Sequence, residues 1–236
     1  RRYSATGSMV NWMGLPGVGA QEVAETMNDY GDHHIPITIN LMATPGKSGD
    51  DAIKDLEKTV LATRDLPYVG SFEGNFSCPN TGEMEKYFVM LGVILPHLRG
   101  LLKPNQELWA KVTPDQDMQT VRDTIEKSNP FVNGFTTTNT TTFHDTLYIT
   151  HHPNPERKGG ASGRAVYHKA TTVQKYFADA IEESGVDLSL IACGGIDSVA
   201  RMNERLAIGK TLGVQIFTPL IFKGPGLLTR LQNCDS

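Results

Sequence analysis

"LSLIACGGID", residues 188–197, decides how the chain folds. Leu188–Cys193 is a short apolar run of strand length, and Ser198–Ile208 repeats its apolar residues at helical spacing. Between them stand Gly194 and Gly195, residues that let the main chain approach a partner closely. A strand that turns through glycines into a helix leaves unpaired N–H groups facing outward, and such groups cradle phosphate. A glycine pair alone can equally make a tight turn. The next strand candidate, Gly213–Thr218, ends in "IFT" and is followed by "KGPG" at 223–226, which adds a hydroxyl and further backbone donors. Phosphate sites built from the last two strand–helix loops are common in parallel barrels.

The rest of the chain alternates in the same manner. Further strand candidates are Ile35–Leu41, Pro67–Phe76, Glu107–Val112 and Val132–Thr138. Helix-period stretches cover Asp50–Thr63, Lys86–Leu102, Met118–Lys127 and Thr171–Ser184. This order predicts a parallel sheet with crossover helices. The longest interval, Thr140 to Lys169, is rich in Thr, His, Pro and Gly and reads as a long loop, with His144–Lys158 expected to cover or flank a ligand. No repeat or linker divides the chain.

The strand ends share a character. Asn40 closes the first, Asn75 and Cys78 follow the second, and Lys111 lies near the end of the third. Thr138, Asn139 and Thr140 follow the fourth, Gly194 and Gly195 the fifth, and Thr218 ends the sixth. Ligands bind at the carboxyl ends of strands in parallel α/β sheets and barrels. Six polar or glycine-rich ends together predict a site there.

Composition narrows the function class. The chain has 236 residues and a formal net charge of -4, and it lacks a Lys/Arg cluster that would serve nucleic acid. No apolar run approaches the ~20 residues that span a bilayer. The basic start "RRYSATGSMV" has no apolar core of the kind a signal peptide carries. Cys78, Cys193 and Cys234 are odd in number and show no CxxC spacing, which argues against a disulfide framework and a zinc site. A reducing, cytoplasmic compartment is the expectation.

One strand end stands apart: "NFSCPNTGE", residues 75–83, sets Cys78 between the amides of Asn75 and Asn80. It resembles the catalytic loop of the dihydroorotate dehydrogenases, FMN enzymes of pyrimidine biosynthesis. Further motifs similar to that family follow its order: "NWMGL" at 11–15, "ITIN" at 37–40, "WAKVTPD" at 109–115, "TTNTT" at 137–141, "GGASG" at 159–163, "CGGI" at 193–196 and "QIFT" at 215–218.

The resemblance implies a single catalytic domain over residues 1–236, a TIM (β/α)8 barrel of the FMN-dependent type, oxidising dihydroorotate to orotate by hydride transfer to FMN. It implies that Asn40, Asn75, Lys111, Thr138, Gly163, Gly194, Gly195, Phe217 and Thr218 hold FMN. Asn11, Met13, Gly14, Leu15, Asn75, Asn80, Asn139 and Thr140 would hold the substrate, and no metal is implied. Cys78 would be the general base that removes a proton from C5, a task suited to a thiol whose pKa is drawn toward neutrality. Lys111 would stabilise the negative charge of reduced FMN. Read without the family, Lys111 is also a lysine snorkelling from a strand end.

Two departures from the family pattern stand out. The cysteine and "MGLPG" resemble the soluble class 1 enzymes, whereas "TTNTT" and "GGASG" resemble the membrane-associated, quinone-using class 2 enzymes. The electron acceptor is therefore open between fumarate, quinone and another oxidant, and localisation between cytoplasmic and peripherally membrane-bound; a homodimer is one assembly the family allows. Second, six strand candidates stand where a barrel has eight, so the barrel is expected to be incomplete, with the first two strands absent. The alternatives are a dihydropyrimidine dehydrogenase-like FMN reductase and a non-catalytic flavin-binding remnant.

Overall fold

A computed structural model describes residues 1–29, 35–75, 84–144 and 159–232, with the side chains of 84–90 excepted. In chain order the elements are β1 (Arg2–Tyr3), β2 (Ser8–Asn11), α1 (Ala20–Asp29), β3 (Ile37–Leu41), α2 (Gly49–Thr63), β4 (Val69–Gly74) and α3 (Met84–Leu101). Then come β5 (Glu107–Val112), α4 (Met118–Ser128), β6 (Gly134–Thr137), β7 (Gly160–Gly163), α5 (Tyr167–Ser184), β8 (Ser189–Cys193), α6 (Val199–Leu206), β9 (Thr211–Gln215), α7 (Thr218–Lys223) and α8 (Gly226–Gln232).

Six strands form one sheet in the order β3-β4-β5-β6-β8-β9, and every pairing in it is parallel. Each step from one strand to the next passes through a helix, which is how parallel neighbours are connected. The sheet curls as part of a (β/α)8 barrel, and among the described residues β3 and β9 are its two edges.

The two-residue period of the strands sorts side chains between the faces. Phe72 is in register with Leu108, and Ala110 with Phe135 and Leu190, and these side chains are buried in the apolar layer beneath the helices. Phe135 meets Phe177 of α5 with ring centroids 4.7 Å apart. The alternate positions carry the polar series Asn40, Glu73, Lys111 and Thr136, and their side chains join inside the curl. Local signals set the helix ends: Asp117 accepts from the Thr120 N–H at 2.8 Å at the start of α4, and Gly185, at φ +67°, terminates α5.

Two sequence expectations need correction. The interval 140–169 is not loop throughout, because Gly160–Gly163 forms β7 and pairs antiparallel with β2 in a small sheet of order β1-β2-β7. Nothing in "GGASG" alternates, and β7 exists because a distant strand supplies its hydrogen bonds. The last strand spans Thr211–Gln215 rather than Gly213–Thr218, and Thr218 opens α7 with Pro219 in the first turn, where a missing N–H costs nothing. Most of the expected cover, residues 145–158, lies outside the described residues.

Candidate active site

The carboxyl ends of β5, β6, β8 and β9 meet the small sheet around a cavity of about 570 Å³. Lys111 reaches it from β5, and Thr138, Asn139 and Thr140 line it after β6. Gly194 and Gly195 border it after β8, Phe217 and Thr218 after β9, and Gly163 from the end of β7. Asn11 and Met13 close it from the side of β2. Eleven of the residues named from the sequence thus share one wall system. Gly14 and Leu15 do not line it, although both hold positive φ in the segment just beyond Met13. Asn40 and Asn75 are also absent from its lining and reach it through partners described below. Cys78 and Asn80 lie outside the described residues.

Backbone hydrogen bonds hold the polar rim. Thr138 N–H donates to the Cys193 carbonyl and Asn139 N–H to the Val112 carbonyl, both at 2.7 Å, so the segment after β6 is strung between the ends of its two neighbours. Asn139 Nδ2 donates to Asn75 Oδ1 at 2.7 Å, and Asn139 Oδ1 accepts from the Thr140 N–H at 3.0 Å. The two asparagines named as substrate ligands therefore interlock, while each amide nitrogen still carries hydrogens to donate.

At the opposite end, glycines let four elements converge. A Cβ on Gly163 would lie 2.5 Å from the Gly7 carbonyl oxygen and 2.8 Å from Thr218 Cγ2. One on Gly195 would lie 2.7 Å from Tyr167 Cβ. The glycines are thus demanded first by protein packing, with Tyr167, Gly7 and Thr218 filling the space a side chain would need. Thr218 is buried and its hydroxyl donates to Ser162 Oγ at 2.9 Å, tying α7 to β7.

Beneath the Gly194–Gly195 turn lies Arg205 of α6, fully buried and with no carboxylate among its hydrogen-bond partners. It donates to the carbonyls of Thr137 at 2.7 Å, Gly194 at 3.1 Å and Cys193 at 3.2 Å, and also to Gln174 Oε1. Burial lowers its pKa to about 10. Asp197, just past the glycines, accepts from Arg164 Nε at 3.0 Å and Nη2 at 2.8 Å and from Arg201 at 3.0 Å. Burial alone would raise its pKa, but the two guanidiniums and Lys223 hold it below the ordinary carboxylate value.

The floor is built from a group the sequence reading did not single out. Glu73, 3% exposed, accepts at Oε1 from Asn40 Nδ2 at 2.8 Å and Lys111 Nζ at 3.3 Å. Its Oε2 accepts from Thr136 Oγ1 at 2.5 Å and Gln215 Nε2 at 2.8 Å, while Lys111 also donates to Gln215 Oε1 at 2.9 Å. Burial pulls the Lys111 pKa down, yet the neighbouring Cys193 and Glu73 outweigh it and hold the ammonium above the ordinary lysine value. An acidic residue inside the strand-like "VGSFEG" was the available signal for Glu73; Gln215 and Arg205 gave none, since each acquires its role only from partners far away in sequence.

A protonated amine at the floor, apolar side chains such as Val10 and Ile196 between, and glycine backbone with a hydroxyl at the far end can accept a flat amphipathic ligand bearing an anionic tail. Such a cavity at the strand ends of a parallel barrel defines a ligand-binding α/β barrel of the enzyme type. A family profile described as dihydroorotate dehydrogenase matches residues 1–233, and the chain belongs to that family. Among curated relatives, the dihydroorotate dehydrogenase (quinone) of Acidithiobacillus ferrooxidans is 29% identical over 98% of this chain, and that of a Synechococcus strain 30% identical over 94%. The chain spans 64% and 59% of the length of those two proteins. A ligand-free DHODH structure from Eimeria tenella superposes with a TM-score of 0.78 at 19% identity, covering 99% of this chain and 70% of that one. A second structure of DHODH from that organism, in complex with ferulenol, gives 0.75 at 19% identity, with 98% and 67% covered. At that identity the two structures speak to the fold.

Proposed function

We propose that this chain binds FMN in the strand-end cavity and oxidises dihydroorotate to orotate, a step of UMP biosynthesis. The observation that carries the reading is the placement of Lys111 and of the Gly194–Gly195 and Thr218 backbone on the same cavity. That arrangement suits the two charged ends of the cofactor. Family membership over nearly the whole chain supports the reaction.

In this reading Gly163, Gly194, Gly195 and Thr218 would hold the phosphate with main-chain N–H groups and a hydroxyl, and Thr138, Phe217 and Lys111, with Asn40 and Asn75 behind them, would hold the rest of the cofactor. Bound FMN supplies the acceptor for the hydride leaving C6 of dihydroorotate. Lys111 keeps a fixed positive charge where negative charge accumulates, and a preorganised charge of this kind favours the transition state without reorganisation. Asn11, Met13, Gly14, Leu15, Asn75, Asn80, Asn139 and Thr140 hold the substrate, the amides matching the pyrimidine edge and the carboxylate. Cys78 receives the C5 proton. A quinone, the acceptor in the names of the relatives, would be the electron acceptor here as well. No described helix is long and apolar enough to cross a membrane.

The test is orotate formation by the purified chain with dihydroorotate and either a short-chain ubiquinone analogue or fumarate. Turnover with the quinone alone supports the reading. Turnover with fumarate alone transfers the chain to the other acceptor type, and bound flavin without turnover on either supports a binding remnant.

A further inference from the structure

We propose that Glu73 is the positioning residue of the site, holding Lys111 and Gln215 against the cavity floor through a carboxylate that accepts four hydrogen bonds. The inference deepens the proposed flavin site and rests on that reading for its meaning, though not for its test. All four partners of Glu73, the side chains of Asn40, Lys111, Thr136 and Gln215, approach as donors, the pattern of an ionised acid that can only accept. They come from β3, β5, β6 and β9, so a single carboxylate on β4 gathers side chains from across the curl. Gln215 belongs to the edge strand β9, and its amide is used at both ends, donating to Glu73 and accepting from Lys111. The lysine, the glutamine and the glutamate therefore form a closed triangle whose lysine and glutamine corners line the cavity.

Folding does not require a charge here. Replacing a buried ion pair by packed apolar residues is often neutral or stabilising, whereas leaving one partner alone is costly. The apolar layer on the other face of the same strands already supplies the core. Glu73, approaching Lys111 from behind the cavity wall, supplies a counter-ion and fixes the direction of the amine. Among the described residues, the titratable groups facing Lys111 are Glu73 from β4 and Cys193 from β8, with Arg205 of α6 beneath them donating to the Cys193 carbonyl. Of these two, Glu73 accepts a hydrogen bond from the ammonium.

Two pH profiles test this. Lys111 is labelled with acetic anhydride across a pH series in flavin-free protein, read by mass spectrometry and normalised to its own plateau. Wild-type Lys111 should titrate above the ordinary lysines of the same chain. In Glu73→Gln its reactive neutral fraction at pH ~8 should rise by about tenfold or more, equivalent to one pH unit, and Glu73→Asp should recover most of the wild-type profile. Where the protein holds FMN, flavin reduction by dihydroorotate should show no lysine titration between pH ~6 and ~9 in wild type and should acquire one in Glu73→Gln. Identical labelling profiles in wild type and Glu73→Gln overturn the inference whether or not flavin binds. Wild-type Lys111 titrating at or below the other lysines overturns it too, and needs no variant. Failure of wild type to hold FMN alongside a shifted labelling profile would instead remove the proposed function and leave the role of Glu73 standing.

Discussion

Gly195 and Tyr167 are packed so closely that the glycine's absent side chain is a condition of the fold: a Cβ there would lie 2.7 Å from Tyr167 Cβ and 2.8 Å from Tyr167 Cα. The turn also holds φ at +75°, a region L side chains rarely adopt. Gly195→Ala is therefore expected to lower stability by about 1–3 kcal/mol through backbone strain, more if Tyr167 cannot move, even without a ligand. Under the proposed function it also weakens FMN binding, because the displaced turn carries the phosphate contacts. Thermal unfolding of the flavin-free variant checks the first effect. Unchanged unfolding together with lost FMN would return the glycine's role to the phosphate alone.

Asp197 gives the site a signature in acid. Its folded-state pKa lies below the ordinary carboxylate value, so its contribution to stability is present above the unfolded value near ~4 and is lost as pH falls through the folded one. Asp197→Asn should be less stable than wild type at pH ~7 and should converge on it as pH falls through the lowered folded-state value. Urea unfolding at a series of pH values reads this directly, and a stability difference that stays constant into acid would contradict it.

Cys78 carries the base role in the proposed reaction. Cys78→Ala should retain flavin while the rate of flavin reduction by dihydroorotate falls by a factor of roughly 100 or more, the usual worth of a positioned general base. Stopped-flow absorbance under anaerobic conditions measures it, and an unchanged rate removes Cys78 from the mechanism.

The parts of this fold that show in the sequence are those specified by local pattern. Glu107–Val112 is read with the bounds it has in the structure because Leu108, Ala110 and Val112 alternate with the lumen-facing Trp109 and Lys111. The strand ends are legible for a similar reason, since polar residues that close apolar runs have little else to do. What escapes is non-local. β7 owes its existence to β2, and Glu73 and Arg205 look like ordinary surface charges until the curl brings Gln215, Thr136 and the carbonyls of Thr137 and Cys193 to them. Thr218 looks like the end of a strand because apolar residues run up to it, although Pro219 immediately after it signals the start of a helix. Cys78 and Asn80, named from the motif, lie outside the described residues.

The central claim, that the strand-end cavity is a flavin site working on dihydroorotate, is tested most directly by anaerobic absorbance of the purified chain reconstituted with FMN. The reconstituted protein should be yellow, with flavin bands that bleach when dihydroorotate is added and return when a quinone follows. A stoichiometric flavin complex whose spectrum dihydroorotate leaves unchanged would contradict it.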